Sequence, residues 1–177
     1  MSIALVTVVV LMGKDIVVFG PGFKNGTAYA FITLSQFADA GDVKELTARD
    51  LTGDGAADLI VRGVRHVAAS GQGTIDMDVM FIYQLKSEVL TRVFSIETGR
   101  EQAGGKRIQG LVQFIPSADG KHFEIDVRPG RATGWTEKTY PWAQDQPGTG
   151  ALEPVLLPWG KIDHLRYAFS GGQFTKL

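Results

Sequence analysis

The nine residues Asp50-Leu51-Thr52-Gly53-Asp54-Gly55-Ala56-Ala57-Asp58 place oxygen where a hard cation needs it. Side chains of Asp50, Thr52, Asp54 and Asp58 fall at loop positions 1, 3, 5 and 9, the carbonyl of Ala56 at position 7, and glycine at position 6. Ca²⁺ takes six to eight oxygens at about 2.3–2.6 Å, and alternate residues of a curled loop can supply them. Gly55 permits the positive φ that folds such a loop around an ion. The same side chains could instead accept backbone N–H groups in a plain Asx turn with no ion. Three carboxylates in so short a span then repel one another without compensation, which favours the cation. The expected ligands are Asp50, Thr52, Asp54, Ala56 and Asp58, and the expected cofactor is Ca²⁺. Its role is structural, because a saturated oxygen cage leaves little room for substrate.

A second constellation lies between Arg128 and Trp142, where Arg131, Trp135, Tyr140 and Trp142 combine cations and aromatics. Trp, Tyr and Arg are enriched at binding hot spots, so this segment is a candidate surface for a glycan or protein partner. The competing reading is that the aromatics cover an open end of the core. Glu124 and Asp126 share a strand face roughly 7 Å apart, near the separation of glycosidase carboxyl pairs. Charges alternating along a strand are more simply a solvated face, and Asp76 and Asp78 read the same way. His66, His122 and His164 are isolated in sequence, and neither a His-Glu-x-x-His helix nor a Gly-x-Ser-x-Gly elbow is present. The balance leans away from an enzyme. A hydrolase remains the further alternative, if a pocket brings a histidine within reach of a carboxylate.

These residues sit in a chain of 177, enough for one β-rich domain spanning 1–177 with a single sizeable core. Lys and Arg number 18 against 19 Asp and Glu, so no basic footprint points to nucleic acid. The absence of cysteine excludes disulfides, thiolate metal sites and a cysteine nucleophile. The apolar run Ile3–Met12 is too short to span a membrane, and its β-branched composition suits a buried strand.

Apolar and turn residues alternate along the rest. Ile3–Leu11 and Ile16–Phe19 read as a hairpin, Ala28–Leu34 as a strand, and Ser35–Ala40 as a short helix stopped by Gly41. Val43–Ala48 enters the oxygen-rich loop and Asp58–Arg62 leaves it. Ile75, Met77, Val79, Phe81 and Tyr83 share one face, a period of two that marks half-buried antiparallel strands. Leu90–Ile96 continues the pattern after a turn at Lys86-Ser87-Glu88. Thr98–Lys106 reads as a glycine-rich loop before the strand Ile108–Ile115. Phe123, Ile125 and Val127 oppose Glu124, Asp126 and Arg128. Residues 129–158 read as a long surface excursion, and Leu165–Thr175 as a last hairpin. The expected fold is all-β and mainly antiparallel, about ten strands in a sandwich, irregular barrel or single blade-like unit, with little helix.

On Asp50, Thr52, Asp54, Gly55 and Asp58 followed by Leu59-Ile60-Val61, the segment from Val43 to Gly63 resembles the FG-GAP/VCBS repeat group. The resemblance implies Ca²⁺ held in a hairpin-like loop and a periplasmic, envelope or extracellular setting, with any export signal removed. Thr52 stands where the group has Asn or Asp. One copy is present, so the resemblance implies a single blade-like unit within another β-fold. Together these readings anticipate a non-enzymatic calcium-binding module of an exported bacterial protein, with a carbohydrate-recognition module as the alternative.

Overall fold

Runs such as Val8-Val9-Val10-Leu11 and Ile16-Val17-Val18-Phe19 are rich in β-branched residues, which favour pleated, half-buried backbone. In a computed structural model that describes residues 7–20, 26–69, 73–140 and 152–177, they open a chain of eleven strands in two antiparallel sheets. The first sheet holds β1 (Val8–Met12), β2 (Asp15–Phe19) and β3 (Tyr29–Thr33). The second is one eight-stranded meander: β4 (Val43–Arg49), β5 (Asp58–Ala69), β6 (Gly73–Lys86), β7 (Val89–Gln102), β8 (Lys106–Pro116), β9 (Phe123–Thr133), β10 (Leu165–Ser170) and β11 (Gln173–Lys176). Each pairs with its neighbour in sequence, and among the described residues no pairing closes the sheet into a barrel. Of the expected architectures, the two-sheet sandwich describes it.

The middle of the meander is buried on both faces. Ile75, Met77, Val79, Phe81 and Tyr83 do share one side, packed with Leu59 and Val61 against Ile16, Val18 and Ala30 of the small sheet. On the opposite side Ile60, Met80, Ile82 and Ile96 meet Ile125, Val127, Tyr167 and Phe174. That second core exists because the sheet curls back on itself. Phe94 of β7 packs edge-on against Tyr167 of β10 and Phe174 of β11, with centroids 5.0 and 5.8 Å apart. The outer face of the small sheet stays open, with Met12, Phe19, Tyr29 and Phe31 exposed.

Three local expectations need correction. No α-helix forms over Ser35–Ala40. A single 3-10 turn at Ala40–Asp42 stands just after it, and Gly41 lies inside that turn. Leu34 and Phe37 are drawn into the core instead, and Lys14 Nζ binds the carbonyls of Phe37 and Ala38 at 3.1 and 2.8 Å. Thr98–Lys106 is no loop either, because β7 runs on to Gln102 before a tight turn. Thr98 is the extra residue of a bulge, since Val79 pairs Glu97 while Asp78 pairs Gly99. The excursion expected from Pro129 starts later, because β9 continues through a bulge to Thr133. Residues 141–151 of that stretch lie outside the described residues. The first hairpin begins at Val8, and the part expected over Ile3–Val6 is likewise outside them.

Beyond Gln109 the β8 strand splays away from β7. A strip of chain at residues 152–157 fills the opening. Glu97 N–H donates to the Glu153 carbonyl at 2.8 Å, and Glu153 N–H donates to that of Ser95 at 3.0 Å.

Candidate metal centre

β4 and β5 converge on the 50–58 loop, whose two ends they fix by pairing Arg49 with Asp58. The loop is held by its own carboxylates. Asp50 accepts the N–H groups of Gly53 at 2.7 Å and Gly55 at 3.0 Å, one on each oxygen. Asp54 Oδ1 accepts from Ala56 N–H at 2.9 Å. Asp58 Oδ2 accepts from Leu51 N–H at 2.9 Å and Thr52 N–H at 3.2 Å. This is the Asx-type scaffold, and it curls all five expected ligands along one short arc.

Two acceptors, one in the arc and one on the neighbouring strand, have no donor among the described residues. Asp58 is 1% exposed, and its Oδ1 has no hydrogen-bond partner among the described residues. One rung beyond the Leu59–Tyr83 pair, across the sheet from Asp58, stands Gln84. It is 2% exposed, and its Oε1 is also without a partner among those residues. The Gln84 Nε2 group reaches the loop, donating to Thr52 Oγ1 and Asp54 Oδ2, each at 3.2 Å. Burial pushes the Asp58 carboxyl above its ordinary range; hydrogen bonds from Leu51 and Thr52 oppose this, and the charges of Asp54 and Asp50 add to it. As placed, no three carboxylates or histidines among the described residues enclose a metal ion.

The loop is also a structural corner. Leu51 is fully buried in the second core, and its carbonyl accepts the N–H of Phe123 at 2.8 Å. Arg49 lies over the Phe123 ring, 4.0 Å from its centroid. Gly53 has φ +74 and abuts the Lys121 carbonyl so closely that any Cβ would collide with it. The β4–β5 end of the sheet is thus seated on the β8–β9 turn.

The other predicted candidates fall elsewhere. Trp135 and Tyr140 are buried, stacked edge-on with each other at 5.6 Å, and Tyr140 packs on Trp159 at 5.8 Å. Arg131 is exposed on β9, and Trp142 lies outside the described residues. Arg100 stands 5.7 Å from the Tyr140 ring and forms a bidentate, fully buried pair with Glu97. Residues three apart on a strand ordinarily face opposite ways, and the Thr98 bulge brings these two together.

Sequence reasoning left the histidines isolated, yet all three meet carboxylates. His66 lies between Asp76 at 2.7 Å and Asp42 at 3.1 Å, which raises its pKa. His122 is 3.5 Å from Asp119. His164 binds the buried Asp126, which also accepts from Arg128 Nε at 3.0 Å and stands 3.5 Å from Arg166 Nε. Burial raises the Asp126 carboxyl, but His164 and Arg128 outweigh it, and the net shift is downward. Among the described residues, clefts of about 340, 370 and 250 Å³ open on the surface, and no histidine lines these. No helix among the described residues is long and apolar enough to cross a membrane. Comparison with known proteins found no matching family model, no matching curated protein and no matching solved structure.

Proposed function

We propose that residues 50–58 hold a Ca²⁺ ion, and that the protein is a non-enzymatic, calcium-stabilised β-module with a structural or binding role in an exported or envelope setting. The observation that carries this reading is the Asp58 carboxylate. It is buried, one oxygen lacks a donor, and its nearest charged influences are two more carboxylates. A buried charge needs a partner of opposite sign, and none stands there among the described residues. A cation among Asp50, Asp54 and Asp58 answers both deficits together.

The ligands on offer are all oxygens, which suits Ca²⁺ better than a transition metal. Each aspartate can keep its backbone N–H bond with one lone pair and turn another to the ion. The Thr52 hydroxyl and the Ala56 carbonyl complete the share of the loop. When bound, the ion supplies positive charge and fixed coordination, and nothing in the reading asks it to react. Because Leu51 is in the core and Gly53 lies against Lys121, keeping the loop in shape keeps the curled sheet closed at that corner. The resemblance to FG-GAP/VCBS loops rests on these same residues and carries the expectation of an exported setting.

Thermal unfolding in calcium, magnesium and EDTA tests the proposal. Calcium at ten times its dissociation constant adds about 1.4 kcal/mol by linkage. For a chain of this size that raises Tm by roughly 3–6 °C. Magnesium gives a smaller shift because it demands a tighter octahedron. Asp54→Ala removes the calcium response. A Tm identical in calcium and EDTA would falsify the reading.

A further inference from the structure

We infer that Gln84, on β6 and outside the loop, is a ligand of the same site, so that the ion is shared between the loop and the sheet. This rests on the calcium reading above and adds a residue that no spacing within 50–58 contains. The loop offers five oxygen-bearing positions, Asp50, Thr52, Asp54, Ala56 and Asp58, and its twelfth position is Val61, with no carboxylate. Six to eight ligands are needed, so a loop-only shell with one oxygen per residue is short.

Gln84 is where the missing ligand belongs. Its amide touches two of the proposed ligands, Thr52 Oγ1 and Asp54 Oδ2, each at 3.2 Å. It is 2% exposed, so no bulk water serves it, and its Oε1 has no partner among the described residues. Its cross-strand neighbour Asp58 has the second orphaned acceptor. Two buried acceptors on one rung, both without donors, mark a place that is short of positive charge. A buried unsatisfied acceptor is rare enough in folded proteins to require a reason. The two ends of a primary amide have almost the same shape. A half-turn therefore brings Oε1 to where Nε2 now stands, facing the Thr52 hydroxyl and the Asp54 carboxylate, and a cation there would offset the meeting of Oε1 with Asp54.

Calcium titration by calorimetry on the full chain, on Gln84→Leu and on Gln84→Glu tests this. Gln84→Leu keeps the apolar volume and is expected to weaken calcium about 10- to 100-fold, the range seen when groups that build a metal site are removed. Gln84→Glu adds a charge to the shell and is expected to tighten it about tenfold, since ligand charge sets affinity in such sites. It is also expected to lower Tm in EDTA while enlarging the calcium-induced rise. A purely structural Gln84 would lower Tm in both variants and tighten neither. If the unaltered chain binds calcium and Gln84→Glu binds it no more tightly, the assignment of Gln84 is overturned while the loop site stands. If the unaltered chain binds no calcium, the loop reading fails and this inference fails with it. Should Gln84→Leu not fold, the glutamate variant still decides.

Discussion

Asp58 and Asp126 are both buried carboxylates on the same eight-stranded sheet, and their surroundings are opposite in sign. Asp126 is ringed by His164, Arg128 and Arg166, and both of its oxygens are engaged. Asp58 has backbone donors on one oxygen, no hydrogen-bond partner among the described residues on the other, and Asp54 and Asp50 as its charged neighbours. The first is drawn below the ordinary carboxylate range and the second is pushed above it. A single sheet therefore displays a buried charge with its counter-charge and one without. The difference is what the proposed calcium ion would remove: among the described residues no cationic side chain faces Asp58 as three basic side chains face Asp126.

The largest effect expected from breaking that comparison is at the satisfied site. Asp126→Ala strips the common partner from two arginines and a histidine and should cost about 2–3 kcal/mol, below the full value for a broken buried pair because the partners regain water. Urea denaturation should give the same loss in calcium and in EDTA. The Asp126 contribution is present at neutral pH and is lost as pH falls through its depressed folded pKa, so the variant should also flatten the acid limb of stability. Asp58→Asn should behave in the opposite way. In EDTA it relieves an uncompensated charge while keeping an oxygen for Leu51 and Thr52, so stability should hold within about 1 kcal/mol or rise. In calcium the same variant should lose the ion-dependent rise in Tm. A large loss in EDTA would mean that the Asp58 charge is compensated in the apo chain.

The smallest effect concerns His66, whose ring is 43% exposed between Asp42 and Asp76. Its folded pKa lies above the ordinary 6.5, raised first by the hydrogen bond to Asp76. Its contribution is therefore complete below that value and is lost as pH rises through the folded pKa. Water screens so exposed a pair, and the change should stay under about 1 kcal/mol. Tm measured from pH 5 to 9 should fall slightly on the alkaline side, and His66→Ala should remove that slope.

The loop was legible because everything that defines its ligand spacing lies within nine residues. The alternation of Ile75 to Tyr83 was legible for the same reason, since a strand writes its faces locally with a period of two. What escaped depends on distance along the chain. Gln84 reaches the loop only because β5 pairs with β6 in one register. Nothing near His164 announces Asp126, which pairing of β9 with β10 brings alongside. The helix expected after Ser35 gave way to packing, as Leu34 and Phe37 are more useful inside the core than a two-turn helix is outside it. Gly99 belongs by composition to a glycine-rich loop, yet it sits within β7, where Asp78 and the Ile108 carbonyl leave no room for a side chain. The aromatics at Trp135 and Tyr140 were visible, but whether their faces would be open or spent on each other was not.

The meander has a kinetic consequence. Every pairing in the large sheet joins strands that follow one another in the chain, so most of it can be assembled hairpin by hairpin over short closures. The hydrogen bond from Phe123 to Leu51 is of another kind, since it waits until β4 through β9 have formed and curled. A contact absent from the transition state adds to the barrier against unfolding. It governs how long the native state survives more than how quickly it is reached.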